Sequence, residues 1–426
     1  MRILYLHQFF MTRDGTGGTR SYEFARRFVA AGHEVTVVTA ARAPSSSRAT
    51  VGGLRHVGGR NPPTLTVEHD VDGIRVVEAR GGYSDYVRAT RVGYGRRLLG
   101  FGGFAAAATV AAVRGPRPDV VFATSPPLTV ALPAVAAARR WSAPLVFEVR
   151  DLWPEAPIQM GALRSPLARR MARMLERAVY RSAREIVALS PGMRDGVVAA
   201  GVAPERVTLI PNAADLDLFS PAIDPGDLRA RLGIGADDFL CAYFGTMGEA
   251  NDLGQALDAA AELQRDGGAR RIVFVLQGDG KRRPALEADV ARRGLTDVLL
   301  APAGDKRSAA RLAAASDVCM TMFKDVPILA TNSPNKLFDT FAAGRPAIVN
   351  TGGWMRELVE GEDAGAYVRP GDGADLAAKL RELAADPARV ARQGANARAL
   401  AERDFDRDML AARLRELLER TAREGR

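Results

Sequence analysis

The sequence predicts an α/β protein that contains two doubly wound domains, and three observations lead to this prediction. Short apolar runs alternate with segments of helical periodicity along the 426-residue chain, which is typical of parallel βαβ units. Glycine-rich loops follow several of these runs. The chain is also longer than the size at which one hydrophobic core stops growing, so we expect two domains.

The first domain is predicted over residues 1–213. It starts with a strand at 3–6, a helix at 19–31 and a second strand at 34–39, each short and rich in the residues that favour its structure. Further apolar runs predict buried strands at 120–123, 145–149, 185–189 and 207–210.

The second domain is predicted over residues 214–405, after a passage rich in Pro and Asp at 211–226. Its apolar runs predict strands at 240–244, 272–277, 298–301, 318–323 and 347–350. The final segment, 406–426, has helical periodicity and no following strand. We expect it to form a C-terminal helix that can pack back on the first domain.

Composition argues against several classes of protein. Cys241 and Cys319 lie inside apolar runs, so we expect two buried thiols in a reducing compartment. The four histidines all precede residue 70 and lack a metal-ligand spacing, which predicts no metal site. No apolar run reaches the ~18–20 residues of a spanning helix, and the N-terminus has no secretory pattern. We therefore expect a cytoplasmic protein.

The positive charge is concentrated in the first half of the chain. The net charge is +9, yet residues 1–213 hold 29 Arg and no Lys against 16 acidic residues. Two segments, 86–104 and 164–184, mix Arg with apolar residues in an amphipathic pattern. Each is either a core-facing helix with a solvated basic face or a surface that docks on anionic lipid headgroups. Nucleic acid is not expected as a partner, because no nucleic-acid motif accompanies the charge.

The loop at 330–335 precedes a predicted helix with an apolar stripe and contains small and polar residues. The free N–H groups and the dipole at such a helix start favour an anion. Lys336 adds a full charge there, in a chain with only five Lys among its 59 basic residues. The loop therefore predicts a phosphate site; the alternative is a capped helix with a solvated Lys.

Glycine turns follow three predicted strands, at 15–18, 245–248 and 278–280. The first does not match a dinucleotide fingerprint, because Arg20 replaces the third glycine and no carboxylate ends the second strand. It remains a turn whose backbone can approach a ligand, with Arg20 available to an anion; the alternative is a turn with a purely structural role. The lysines at 281 and 336 lie in loops expected at the same sheet edge, which favours a diphosphate-bearing ligand.

A charged loop follows the predicted strand at 145–149. The end of this strand and the loop place Glu148, Arg150, Asp151 and Glu155 near the carboxyl edge of the first sheet. Carboxylates at this edge can contact sugar hydroxyls or a reacting centre. The alternative is a charged surface loop anchored by Trp153.

Nearly the whole chain resembles the family 4 glycosyltransferases of the GT-B fold, and in particular a bacterial branch similar to amino-sugar transferases of surface polysaccharide assembly. The matching segments are 6–10, 17–23, 31–35, 147–155, 188–193, 210–213, 333–339 and 344–346. The resemblance implies two Rossmann-like domains with an interdomain cleft. It also implies a nucleotide sugar bound by the second domain, an acceptor on the first, and no catalytic metal or cofactor.

The resemblance also implies site residues. Asp151 and Lys336 are the expected catalytic residues, and Arg150 and Glu155 the expected acceptor-binding residues. The expected donor-binding residues are Gly17, Gly18, Arg20, Gly245, Thr246, Lys281, Arg282, Thr331, Ser333, Pro334, Asn335 and Asp339.

This chain departs from the family pattern at three places. Thr331 and Asp339 stand where many relatives have two glutamates, and Arg150-Asp151 stands where many have a histidine. The Arg and Lys common after the first strand of the second domain are missing, so Lys281 or Arg282 is expected to replace them.

The resulting hypothesis is a retaining glycosyltransferase. It moves an N-acetylated hexosamine or deoxyhexosamine from a UDP-sugar to a hydroxyl of a lipid-linked or small acceptor. It could associate peripherally with the inner face of the cell membrane through its Arg-rich first domain. Two alternatives are a nucleotide-sugar 2-epimerase, which needs no acceptor, and a non-catalytic nucleotide-sugar sensor or scaffold.

Overall fold

The computed structural model describes residues 1–15, 17–41, 65–81 and 94–425. It confirms the predicted fold class, because each of the two α/β domains contains one sheet. The strands of the first sheet are β1 Arg2–Leu6, β2 Glu34–Ala40, β3 Thr66–Val71, β4 Ile74–Ala79, β5 Val120–Thr124, β6 Leu145–Val149, β7 Glu185–Ala188 and β8 Val207–Leu209. Those of the second are β9 Phe239–Thr246, β10 Ile272–Asp279, β11 Val298–Ala301, β12 Val318–Thr321, β13 Ala347–Val349 and β14 Gly365–Tyr367.

The helices lie between these strands and at the end of the chain. They are α1 Arg20–Ala30, α2 Tyr94–Arg114, α3 Ala131–Trp141, α4 Glu155–Gln159, α5 Pro166–Ser182, α6 Pro191–Ala199, α7 Leu228–Arg231, α8 Gly254–Asp266, α9 Arg283–Arg293, α10 Lys306–Ala315, α11 Asn335–Ala342, α12 Trp354–Gly361, α13 Gly373–Ala385, α14 Pro387–Asp404 and α15 Arg407–Glu424.

Both sheets have the strand order of doubly wound domains. The first runs β3-β4-β2-β1-β5-β6-β7-β8, and the second runs β11-β10-β9-β12-β13-β14. All pairs are parallel except the β3–β4 hairpin, which the sequence patterns did not predict. Because helices cover both faces of a parallel sheet, its central strands are mostly apolar. Every residue of β5 and of β6 is buried, including Thr124 and Glu148.

The end of the chain lies against the first domain. In α15, Glu419 lies 3.0 Å from the ring of His33, and Asp408 accepts a hydrogen bond from Arg27. The buried Arg407 guanidinium also donates to Asp215 in the interdomain passage, at 2.7 Å. The boundaries predicted between residues 213 and 214 and between 405 and 406 stay predictions.

The loops after the parallel strands of both sheets face the cleft between the domains. In the first domain these loops follow β1, β5 and β6; in the second they follow β9, β10 and β12. Ligands of open α/β sheets bind at this carboxyl edge, so the fold directs attention to these loops.

Candidate functional site

Two adjoining cavities lie in the cleft. The first-domain cavity has a volume of about 250 Å³ and is bordered by His7, Arg150 and Asp151. The second-domain cavity has a volume of about 290 Å³ and is bordered by Lys306 and Lys336. The residues that border both are Gly17, Gly18, Thr246, Phe323, Pro334 and Asn335.

A larger cavity, of about 530 Å³, lies beside the amino ends of β1 and β2, away from the cleft. Two of its arginines are already paired, Arg2 with Glu34 at 2.9 Å and Arg75 with Glu68 at 2.7 Å. The cleft, in contrast, contains two cations, Arg150 and Lys336, that form no ion pair with the described residues.

Lys336 is half-buried at the beginning of α11 and faces the second-domain cavity. Its ammonium donates a hydrogen bond to the Tyr243 hydroxyl at 2.6 Å and lies 4.0 Å from the centre of that ring. Burial lowers the pKa of Lys336 to about 7. The φ of Gly245 is +131°, and a Cβ there would lie 3.3 Å from Lys336 Cε, so glycine lets the lysine side chain pass. A bound anion would supply the charge that Tyr243 does not.

The start of α11 is held across the two domains. The backbone N–H of Asn212 donates to the Ser333 hydroxyl at 3.1 Å, and its side chain donates to the Ser333 carbonyl at 2.5 Å. No side chain caps the helix at Pro334. Because the first N–H groups of a helix lack partners within it, this end offers donors and a positive dipole to an anion.

Asp339 lies one turn further along α11 and is buried. Burial raises the pKa of Asp339, and the charge of Lys306 partly offsets this shift. The Lys306 ammonium donates a hydrogen bond to the Asp339 carboxylate at 2.6 Å. The second carboxylate oxygen, Oδ1, is buried and accepts no hydrogen bond. Asp339 therefore borders the second-domain cavity with one carboxylate oxygen that has no hydrogen-bond partner among the described residues.

The wall of the first-domain cavity is formed by the loops after β1 and β6. His7 Nδ1 lies 2.6 Å from the Ser21 hydroxyl, and its Nε2 lies 3.4 Å from the Arg150 guanidinium. Burial and the Arg150 charge hold the pKa of His7 well below its usual range, so the ring is neutral. Burial also raises the pKa of Asp151 to about 6, although the Arg150 charge opposes the shift.

The expectation that Arg20 binds an anionic ligand is wrong. Its side chain is fully buried beneath the glycine turn, not in either cavity. The guanidinium donates twice to Glu148 Oε1, at 3.0 and 2.7 Å, and also to the carbonyls of Ile210 and Pro211. Every nitrogen is therefore engaged, and Arg20 links α1 to β6 and to the interdomain passage.

Four other predicted residues lie outside both cavities. Lys281 and Arg282 are exposed, and Lys281 pairs with Glu249 at 3.0 Å. The Thr331 hydroxyl donates to the Ile328 carbonyl at 2.7 Å, and its side chain packs against Gly192. Glu155 accepts a hydrogen bond from Arg173 at 2.8 Å. The structure thus brings together the remaining predicted residues, which are Gly17, Gly18, Arg150, Asp151, Gly245, Thr246, Ser333, Pro334, Asn335, Lys336 and Asp339.

Three residues of the site escaped the sequence patterns, namely His7, Tyr243 and Lys306. His7 directly follows β1, and its position after a buried run was the available signal. Tyr243 lies inside the buried strand β9, where the sequence pattern does not distinguish it from a core residue. Lys306 is one of only five lysines and begins a helix after β11, which could have singled it out.

Neither a metal centre nor a membrane span is evident in the described ranges. No group of three or more His, Cys, Asp and Glu side chains there is arranged to hold a metal ion. Within those ranges, no helix combines the length and the apolar character needed to cross a bilayer. The expectation that no metal or cofactor is needed stays a prediction.

Comparisons with known proteins agree with this architecture. Residues 15–213 match the glycosyl transferase 4-like domain, and residues 238–386 match the glycosyl transferases group 1. The chain is 28% identical over 271 residues to the D-inositol 3-phosphate glycosyltransferase of Nocardiopsis dassonvillei, an alignment that covers 60% of each chain. The match therefore spans less than two thirds of that relative's length.

Solved structures show the same fold over the full length. Sucrose-phosphate synthase from Thermosynechococcus elongatus superimposes with a TM-score of 0.74 at 19% identity and covers 98% of both chains. Anabaena Alr3699/HepE, solved with UDP and glucose, gives a TM-score of 0.70 at 19% identity and covers 98% of this chain and 99% of its own. Since the two family matches divide the chain as its two sheets do, and the cleft lies between them, the chain belongs to the family 4 glycosyltransferases of the GT-B fold.

Proposed function

We propose that the protein is a retaining glycosyltransferase. It moves an N-acetylated hexosamine or deoxyhexosamine from a UDP-sugar to a hydroxyl group of a lipid-linked or small-molecule acceptor, without a metal ion or cofactor. The observation that carries the proposal is the Lys336 ammonium, which has no carboxylate partner among the described residues and stands at an uncapped helix start beside the Asp151 cavity. Retention and the type of donor sugar come from the family resemblance.

The second-domain cavity has the chemistry that a departing diphosphate needs. When the bond between the sugar C1 and the phosphate oxygen breaks, its electron pair stays on the diphosphate. Lys336 and the free N–H groups of α11 are preorganised donors for that charge. Asp339 borders the same cavity and is the candidate partner of a ribose hydroxyl. Gly17, Gly18 and Gly245 allow the backbone to approach the phosphates closely.

The first-domain cavity suits the acceptor. Asp151 makes no side-chain hydrogen bond to the described residues and borders the same space as the Gly17–Gly18 turn. Its carboxylate can therefore orient an acceptor hydroxyl toward C1 of a sugar held from the other side. The similar proteins support a nucleotide-sugar donor: one relative is named a D-inositol 3-phosphate glycosyltransferase, and Alr3699/HepE was also solved with UDP-glucose.

Helix α5 supports docking on an anionic membrane. Its residues Leu167, Met171 and Met174 share one face and are 67%, 61% and 61% exposed, so the core-facing alternative fails for these three. Arg170 and Arg177 are exposed beside them. Apolar side chains flanked by arginines match the chemistry of an interface with anionic lipids. In the other predicted segment, 86–104, residues 86–93 lie outside the described residues.

Membrane docking can be tested with vesicles of equimolar phosphatidylglycerol and phosphatidylcholine. We expect the protein to co-sediment at low salt and to be released by high salt. The combined variant Leu167→Gln, Met171→Gln and Met174→Gln should lose binding, while Met409→Gln, an exposed methionine in α15, should not. Equal sedimentation of both variants would exclude α5 as the docking surface.

The main test begins with thermal shifts in UDP, GDP, ADP and NAD⁺ at matched ionic strength, since a ligand that binds the native state raises its stability. We expect selective stabilisation by UDP. UDP-N-acetylhexosamines are then incubated with candidate acceptors, and product configuration is read by NMR. Interconversion of the UDP-sugar without acceptor would indicate the epimerase, and UDP binding without turnover would indicate the sensor or scaffold.

A further inference from the structure

Arg150 is half-buried and differs from two fully buried arginines, Arg20 and Arg407. Arg20 and Arg407 each donate to a buried carboxylate, Glu148 and Asp215 respectively. The Arg150 guanidinium borders the first-domain cavity, and no described carboxylate forms an ion pair with it. The Arg150 side chain is half-buried, and a guanidinium that lines the cleft without an ion-pair partner is available to an anion from outside the chain.

None of the described neighbours of Arg150 forms a direct ion pair with it. The atom of His7 that faces it, Nε2 at 3.4 Å, belongs to a neutral ring. Asp151 follows it in the chain and affects it only through space. Gly18 lies beside the guanidinium: a Cβ on this residue would be 3.4 Å from Arg150 Nη2, and glycine has no such atom. The glycine therefore leaves the guanidinium open at the junction of the two cavities.

We propose that Arg150 binds an anionic group, a phosphate or a carboxylate, carried by the acceptor. This inference rests on the proposed function and specifies its acceptor class. Arg150 borders the first-domain cavity and Lys336 the second, so the donor diphosphate already has its cation on the opposite wall. The guanidinium fork matches the oxygens of a phosphate or carboxylate in a bidentate contact.

The volume of the first-domain cavity limits the size of the acceptor group that it can hold, and therefore how far the anion can lie from the reacting hydroxyl. A volume of about 250 Å³ is below that of sites for drug-sized ligands, which begin at roughly 300 Å³. The part of the acceptor inside it is therefore small, on the scale of one sugar ring. Because Arg150 and Asp151 border the same small cavity, we expect the anionic group to belong to the ring that carries the attacking hydroxyl or to be linked directly to it. A free sugar phosphate and a phosphate-linked lipid sugar both satisfy this chemistry.

The test uses the full-length protein saturated with UDP, so that the donor cavity is filled. It is titrated with inositol 3-phosphate, glucose 6-phosphate and glucuronate, each against its neutral parent, and with vesicles containing a polyprenyl diphosphate sugar against vesicles without it. We expect at least one anionic probe to bind tenfold or more tightly than its neutral counterpart, as a charge-assisted hydrogen bond implies. Binding of the free probes indicates a small acceptor, and binding of the lipid alone indicates a lipid-linked one.

Arg150→Gln should abolish that preference while UDP affinity stays within about threefold. Arg150→Lys keeps the charge, so it should retain part of the preference for the anionic probe. Its binding shows whether the loss in Arg150→Gln comes from the missing charge and not from a folding defect. Arg194→Gln, an exposed arginine in α6, is the matched control. Absence of any anionic preference, or its persistence in Arg150→Gln, overturns the subsite. Loss of UDP affinity in Arg150→Gln assigns the residue to the donor and also overturns it. Failure of the wild type to bind UDP at all would instead count against the proposed function.

Discussion

The two walls of the cleft contain the same contrast between a neutralised and an unneutralised cation. On the second-domain wall, Lys306 pairs with Asp339, whereas Lys336 meets only the neutral oxygen of Tyr243. On the first-domain side, Arg20 pairs with Glu148, whereas Arg150 has no described carboxylate partner. The difference separates two roles. Neutralised cations hold the loops of the site together, and unneutralised cations are available to an anionic ligand.

The largest effect is expected when a cation that is paired with a buried carboxylate is removed. Arg20→Met should lower the free energy of unfolding by about 3–5 kcal/mol, because it leaves the buried Glu148 carboxylate without its partner. Arg150→Met leaves no such carboxylate, so we expect a change below about 1 kcal/mol. Chemical denaturation of both variants measures the difference.

A double variant gives the control for Arg20. Arg20→Met combined with Glu148→Leu removes both charges, and an apolar pair in place of a buried ion pair is often tolerated. We expect it to recover much of the lost stability. If Arg150→Met were as destabilising as Arg20→Met, the distinction between structural and ligand-facing cations would fail.

The next prediction removes the unneutralised lysine. Lys336→Ala should lower sugar transfer by about 10²-fold or more, as loss of one preorganised donor to a developing charge typically does. Steady-state kinetics should show the loss in kcat as well as in donor binding. Lys324→Ala is the matched control, because Lys324 pairs with Glu249 at 3.6 Å outside both cavities. Near-full activity of Lys336→Ala would remove this residue from the mechanism.

The charge states of the two walls also predict a pH dependence. Transfer needs the Asp151 carboxylate, whose pKa is raised to about 6, and the Lys336 ammonium, whose pKa is lowered to about 7. kcat/KM, which reports the free enzyme, should rise as pH increases through about 6 and fall as pH increases through about 7. Each limb should change about tenfold per pH unit.

Two substitutions test which residue causes each limb of the pH profile. Lys336→Arg keeps its proton at all accessible pH values, so the alkaline limb should disappear even if activity is reduced. Asp151→Asn should abolish the acid limb in whatever activity remains. In kcat, the alkaline limb should shift upward, because a bound diphosphate favours the charged lysine. An alkaline limb that persists unchanged in Lys336→Arg would contradict the assignment.

Local patterns were sufficient to predict the elements and loops that form the site. The helix start at Lys336 and the turn at Gly17–Gly18 were predicted because periodicity and glycine placement are properties of neighbouring residues. The pairing of Arg20 with Glu148 was not, since 128 positions separate the two residues. The Lys306–Asp339 pair was not predicted for the same reason, because 33 positions separate its two residues. Sequence patterns therefore identified charged residues near the cleft, but only the tertiary structure shows which charges are already neutralised.

The smallest predicted effect concerns the partner of Lys336. Tyr243 is buried, and its hydroxyl donates to the Thr246 carbonyl at 2.6 Å while it accepts from Lys336. Tyr243→Phe removes that acceptor, at a net cost of about 0.5–1.5 kcal/mol, so kcat/KM should fall by about 3- to 10-fold. With its only described oxygen partner gone, the ammonium is less stabilised, and the alkaline limb should move to lower pH. Tyr180→Phe deletes another buried tyrosine hydroxyl, in the first domain, and should leave that limb in place. A fall in stability without movement of the limb would show that Tyr243 only packs beneath the site, whereas movement of the limb identifies it as the residue that positions Lys336 for the donor.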